Sequence, residues 1–226
     1  MGMMSEADHK IVSDAVAAAE LHTSGEIVPV IAEESDGYSD IALFWAAVAS
    51  FTAMSVLVAF PDIATAKWDW LFAGNWGEHE WTLGQFASLV VGLGLLKFLG
   101  VWLILLIPRL RFWLVPGPIK SRRVRQRAIK HFKVGAERRT HGRTGVLLYL
   151  SMREHRAEIV ADEAIHSMVE QDVWGEAMAD MLAHVSKDNV AHGIAAGVRD
   201  VGKVLAQHFP RAEGDQNELP DRLIEL

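Results

Sequence analysis

Two apolar stretches, Ile41–Phe60 and Phe86–Ile107, constrain this chain more than any other feature. The first runs for twenty residues without an ionisable side chain, and the second, FASLVVGLGLLKFLGVWLILLI, carries one charge, Lys97. At the rise of an α-helix each makes roughly 30 Å, the thickness of the hydrocarbon layer of a bilayer. A buried core helix is the alternative for either arm, and these lengths exceed what one needs. The sequence therefore predicts a two-helix transmembrane hairpin over residues 41–107, with spans at 41–60 and 86–107 and a Trp-rich loop at 61–85. Removing it leaves room for one small soluble domain.

Charge is divided sharply along the chain. Residues 108–143 hold twelve Lys and Arg against one Glu, whereas residues 1–40 hold nine acids against one Lys, and residues 144–226 fifteen acids against seven bases. The net charge of -7 hides that division. Positive charge beside a span marks its cytoplasmic end. Arg109, Arg111, Lys120, Arg122, Arg123, Arg125 and Arg127 follow the second span, so its end is expected in the cytoplasm. Two spans then bring the N-terminus to the same side, giving a multi-pass inner (plasma) membrane protein with both termini cytoplasmic. The first residues lack a basic region followed by an apolar core, and no signal peptide is expected. Residues 108–137 read as a basic juxtamembrane helix with a thin apolar line through Ile119, Val124, Ala128 and Phe132. Contact with anionic lipid headgroups and a plain topology signal are its two readings. Nucleic acid is not expected, because Phe132 is the block's only base-stacking aromatic after the Pro-Gly-Pro break.

The soluble pieces flank the hairpin. Ser5 and Asp8 make a capping box for a helix reaching Leu21, and Glu26–Ile31 (EIVPVI) is a short strand that Pro29 assigns to an edge or a bulge. Thr144–Ser151 (TGVLLYLS) is continuous and apolar, a strand buried on both faces. A polar turn and Ala157–Ala161 (AEIVA) complete a hairpin. Asp162 stands at a helix N-cap position, helical spacing resumes at Glu176–Val185 and from Val190, and Gly193 with Gly197 imply close packing of the last helix. From Arg211 to Leu226 a loose polar tail is expected. Neither piece alone covers a sheet, so residues 1–40 and 138–210 are expected to form one α/β domain interrupted by the membrane hairpin.

At TSGEIVPVI, at RTGVLLYLSMREHRAEIVADEAI and at DNVAHGIAAGVRDVGKVLAQHFP the sequence resembles the TPM domain family, over about residues 6–35 and 138–210. The resemblance implies an α/β sandwich, a small sheet with helices on both faces, often membrane-attached. Some members of the family resemble acid phosphatases or bind divalent metal, and others resemble accessory factors of membrane complexes. This chain departs from the pattern at two points: the aspartate-bearing segment before the first helix is missing, and Thr144 stands where Asn is common. Both weigh against a metal-dependent phosphatase and leave the fold untouched.

Chemistry is spelled out less clearly. With no cysteine, disulfides, thiolate metal sites and Cys nucleophiles are excluded. The ten histidines show no metal-ligand spacing such as H-E-x-x-H, and no phosphate-binding glycine motif occurs. Glu26, Glu158, Asp162 and Asp172, with Glu163 and Arg156 nearby, are the carboxylates expected at the sheet ends, where oxygen ligands suit Ca²⁺, Mg²⁺ or Mn²⁺. A plain N-cap at Asp162 and a cross-strand charge pair of Arg156 with Glu158 are the alternatives. Glu78-His79-Glu80 in the loop reads as a solvated run. Lys97 is an intramembrane charge, a candidate contact to a membrane-protein partner or a second copy. The leading expectation is a non-enzymatic binding or accessory module at the membrane. A divalent-metal-dependent phosphatase is the alternative, and a subunit of an oligomeric membrane complex using Lys97 is the second.

Overall fold

The computed structural model describes residues 3–69, 80–135, 144–185, 189–212 and 219–226. The chain divides into two units, one of Met1–Asp36 with Gly117–Leu226, the other of Gly37–Pro116. The first unit is thus assembled from both ends of the sequence.

In the first unit, α1 (Glu6–Glu20) starts at the capping box read from the sequence: the Ser5 hydroxyl accepts from the Asp8 N–H, and the Asp8 carboxylate accepts from the Ser5 N–H. Three strands carry the sheet, β1 (Glu26–Ala32), β2 (Gly145–Ser151) and β3 (Arg156–Ala161). A two-residue β4 (Ile224–Glu225) completes the order β3-β2-β1-β4. β1 lies parallel to β2 with Glu26 opposite Gly145 and Ala32 opposite Ser151, and β3 returns antiparallel to β2. Parallel neighbours need a crossover, which α6 (Gly117–Gly135) supplies; the hairpin is spliced into that same connection.

Alternation along the strands sorts the side chains into two layers. Ile27, Ile31, Val146, Leu148 and Leu150 pack with α1 and with α8 (Gln171–Val185) and α9 (Val190–His208). Val28, Val30, Ala32, Leu147 and Tyr149 pack with Val124, Ala128 and Phe132 of α6. β2 is buried at every position, as an apolar run without alternation requires. Each large aliphatic side chain so buried contributes about 1.5–3 kcal/mol. The result is an α/β sheet with helices on both faces. Gly193 and Gly197 of α9 sit against Met181 of α8 and Leu148 of β2, which accounts for both glycines: a Cβ at Gly193 would lie 2.8 Å from the Met181 carbonyl oxygen.

Two expectations are corrected. β1 is not an edge strand. Its odd residues point away from β2, since Ile27 N–H is taken by Glu20 and the Ile31 carbonyl by Leu226 N–H. Pro29 faces the same side, before β4 begins opposite Val30, so its missing N–H removes no ladder bond. The tail, in turn, is not wholly loose: Leu219 and Leu223 are buried, and Glu225 accepts from the Met3 and Met4 N–H groups.

The second unit is the hairpin. α2 (Ser39–Ala59) and α4 (Leu83–Ile104) run side by side, joined through α3 (Pro61–Trp68), and α5 (Pro108–Leu114) follows. The Ser50 hydroxyl donates to the Gly94 carbonyl at 2.7 Å, and Met54 fills the space a side chain at Gly94 would take. Tyr38, left-handed at φ 49°, meets Phe112 edge to face at 5.2 Å. Trp70, Trp76, Glu78 and His79 of the loop lie outside the described residues.

Candidate functional site

The residues singled out by the sequence lie on the hairpin helices and α5, along α6, at one end of the sheet, in the middle of β3 and at the start of α8.

α2 and α4 are both long and apolar enough to cross a membrane, with a mean hydropathy of 2.1. A core helix of that composition would be covered by protein, yet only 17% of each apolar window is buried. Phe44, Phe51, Val58, Leu95, Leu96 and Ile104 all stand exposed. Lys97 is exposed among them. On insertion scales a Lys near mid-membrane costs about 2.5–3.5 kcal/mol.

α6 turns Val124, Ala128 and Phe132 to the sheet and leaves Arg122, Arg125, Arg127, Lys130 and Lys133 exposed. Lys120 and Arg123 are half-buried, and Arg123 pairs with Asp36 at 3.0 Å. Arg125 reaches Glu158 at 3.6 Å. Burial raises the Glu158 carboxyl above the usual range, and Arg125 opposes that shift. Arg156 does not pair with Glu158; its Nε donates to the Ser121 hydroxyl at 3.3 Å. Arg109 and Arg111 belong to α5 in the other unit.

The candidate acids are distributed between these elements. Glu26 opens β1 and Asp162 follows β3, both buried, on either side of Gly145 at one end of the sheet. Asp162 does not cap its helix through the side chain; its Oδ2 accepts the Gly145 N–H at 2.9 Å. Glu26 Oε2 accepts from Leu219 N–H at 3.3 Å. Glu158 lies in the middle of β3 opposite Tyr149, and Asp172 is exposed in the first turn of α8. Among the described residues no three His, Asp or Glu side chains are grouped to hold a metal ion.

Sequence reasoning missed the opposite end, where β1 and β2 terminate. Ser35, Tyr149, Ser151 and Glu154 form a buried network there. Ser35 Oγ lies 3.1 Å from the Tyr149 hydroxyl and donates to Ser151 Oγ at 2.8 Å, while Ser35 N–H donates to Glu154 Oε1 at 3.0 Å. Arg153 grips Glu33 and Glu34 beside it. Burial raises the Tyr149 hydroxyl above its ordinary value, and His131 of α6 stacks on that ring. The only sequence signal was polar residues interrupting two apolar strand ends. The network pins Glu33–Asp36, the segment by which the chain leaves the domain toward the hairpin.

The family model of the TPM domain matches residues 107–204. The chain carries a TPM domain. The match takes in α6, the β2–β3 hairpin and most of α9; β1, which pairs with β2, lies outside it. No curated protein matches. Among solved structures, the chain is similar to the BA42 protein of the psychrophilic bacterium Bizionia argentinensis, determined by NMR. The likeness covers 99% of this chain and 96% of that one, with a TM-score of 0.56 and 17% identity, and shows the fold alone.

Proposed function

We propose that this chain is an integral protein of the inner membrane whose hairpin holds the TPM domain against the cytoplasmic face, where the domain serves as a binding or accessory module for a membrane complex. The observation that carries this reading is the pair of apolar helices with open surfaces. At about 25 cal/mol per Å² of apolar surface, leaving them in water is costly, and a bilayer removes that cost. Arg109 and Arg111 beside the second span and the exposed bases of α6 support the cytoplasmic assignment. On that side α6 meets anionic headgroups, each nearby Lys or Arg contributing about 1 kcal/mol. Alkaline carbonate washing of membranes from cells producing the full chain tests the anchoring. The protein stays in the pellet if the hairpin spans the bilayer, and its release to the supernatant would refute the reading.

A divalent-metal-dependent phosphatase is the second reading, favoured by the placing of buried Glu26 and Asp162 at one sheet end. Millimolar Ca²⁺, Mg²⁺ or Mn²⁺ should then raise the unfolding temperature of the detergent-purified protein, by an amount lost in Asp162→Asn. A ligand at about a hundred times its Kd stabilises the folded state by about 2.7 kcal/mol. An unchanged melting curve with all three ions would remove this reading.

A further inference from the structure

The hairpin leaves one cation in apolar surroundings. Lys97 is exposed on α4 next to exposed Leu96, with Gly94 and Gly100 one turn before and after it on the same side of the helix. α4 ends at Ile104, roughly 10 Å further along the axis. Side chains leave a helix tilted toward its N-terminus, so the Lys97 stem points into the apolar layer rather than toward that nearer end. Its length of about 6 Å falls short of the nearer interface even when turned against that tilt.

Among the described residues, neither α2 nor α4 supplies a counter-ion at this depth. α2 contains no acid beyond Asp40 in its first turn, and α4 contains none. A second copy would bring another Lys97 and the same lack of acids. Beside Lys97, the position a side chain would take at Gly100 is open, whereas the equivalent space at Gly94 is filled by Met54 of α2. The hairpin's own packing therefore explains Gly94 and leaves the space at Gly100, one turn beyond Lys97, open among the described residues.

We propose that the Lys97 face of α4 docks a transmembrane helix of a partner protein that carries an Asp or Glu at matching depth. This rests on the membrane reading above and names the chemistry of the complex's contact. The carboxylate neutralises Lys97, and the partner helix covers Leu96 and the open surface at Gly100.

The test reconstitutes the full chain in phosphatidylcholine bicelles with a biotinylated Leu-Ala transmembrane peptide bearing one central Glu, or Leu in its place. The Glu peptide should capture about three- to tenfold more protein than the Leu peptide. Lys97→Arg should keep that preference and Lys97→Leu abolish it. Equal capture by both peptides, or a preference undiminished in Lys97→Leu, would overturn the proposal. Carbonate extraction of the same proteins separates the two failures, since release of the unaltered chain refutes membrane anchoring instead.

Discussion

Glu20 is a carboxyl group that the fold moves far from its ordinary range. Burial, with Glu26 and Asp221 adding repulsion, pushes it up to about 8 from an ordinary 4.5, against the Ile27 N–H that it accepts. The folded state then holds a proton that the unfolded chain releases above about pH 4.5. Stability from protonated Glu20 is complete below that pH and declines as the pH rises to about 8, above which the decline ends. Glu20→Gln keeps an oxygen for Ile27 N–H and cannot ionise. Its melting temperature should therefore gain on that of the unaltered protein between pH 5 and 8, whereas a difference independent of pH would contradict the assignment. Asp162 is the second test at this scale. Alanine there leaves the Gly145 N–H buried without its acceptor, a loss of about 1–3 kcal/mol in denaturant unfolding, while Asn should recover much of it. The Ser5–Asp8 capping box was legible because its bonds are local. The Asp162–Gly145 bond and the Ser35 network were not, because each joins residues brought together only by strand pairing.

At the scale of elements, glycines separate packing from propensity. Gly193→Ala drives a methyl into the Met181 carbonyl, so unfolding experiments should show a loss of about 1–3 kcal/mol. Gly175→Ala, in α8 with nothing within 4 Å, should gain up to about 1 kcal/mol from helix propensity. If both substitutions stabilise, the close approach of α8 and α9 is wrong. For α6, hydrogen exchange in nanodiscs offers the matching test. Adding phosphatidylserine should slow exchange along 117–135 and high salt should reverse it; equal exchange in neutral and anionic discs would remove the headgroup contact. Periodicity made α1, α6 and α9 readable, and the unbroken apolar run gave β2. Pro29 misled because its missing donor matters only on a paired side. β4 escaped notice because two residues are too few to make a pattern, and buried Leu219 and Leu223 lead into it.

For the whole molecule, the arrangement that matters is one sheet built from residues on either side of an apolar hairpin. β1 pairs with β2 along all seven residues, so the two pieces must share a compartment. That constraint was legible in the sequence, since an even number of spans satisfies it. What the domain binds was not, because no motif in the sequence spells out a ligand. The chain has no cysteine, so single cysteines can report the side of each piece without background. The most direct measurement labels Asp14→Cys, Asn75→Cys and Glu176→Cys with a membrane-impermeant maleimide in intact and in permeabilised cells. Cys at 75 should react in intact cells, while those at 14 and 176 should react only after permeabilisation. Opposite behaviour of positions 14 and 176, or protection of position 75 in intact cells, would contradict it.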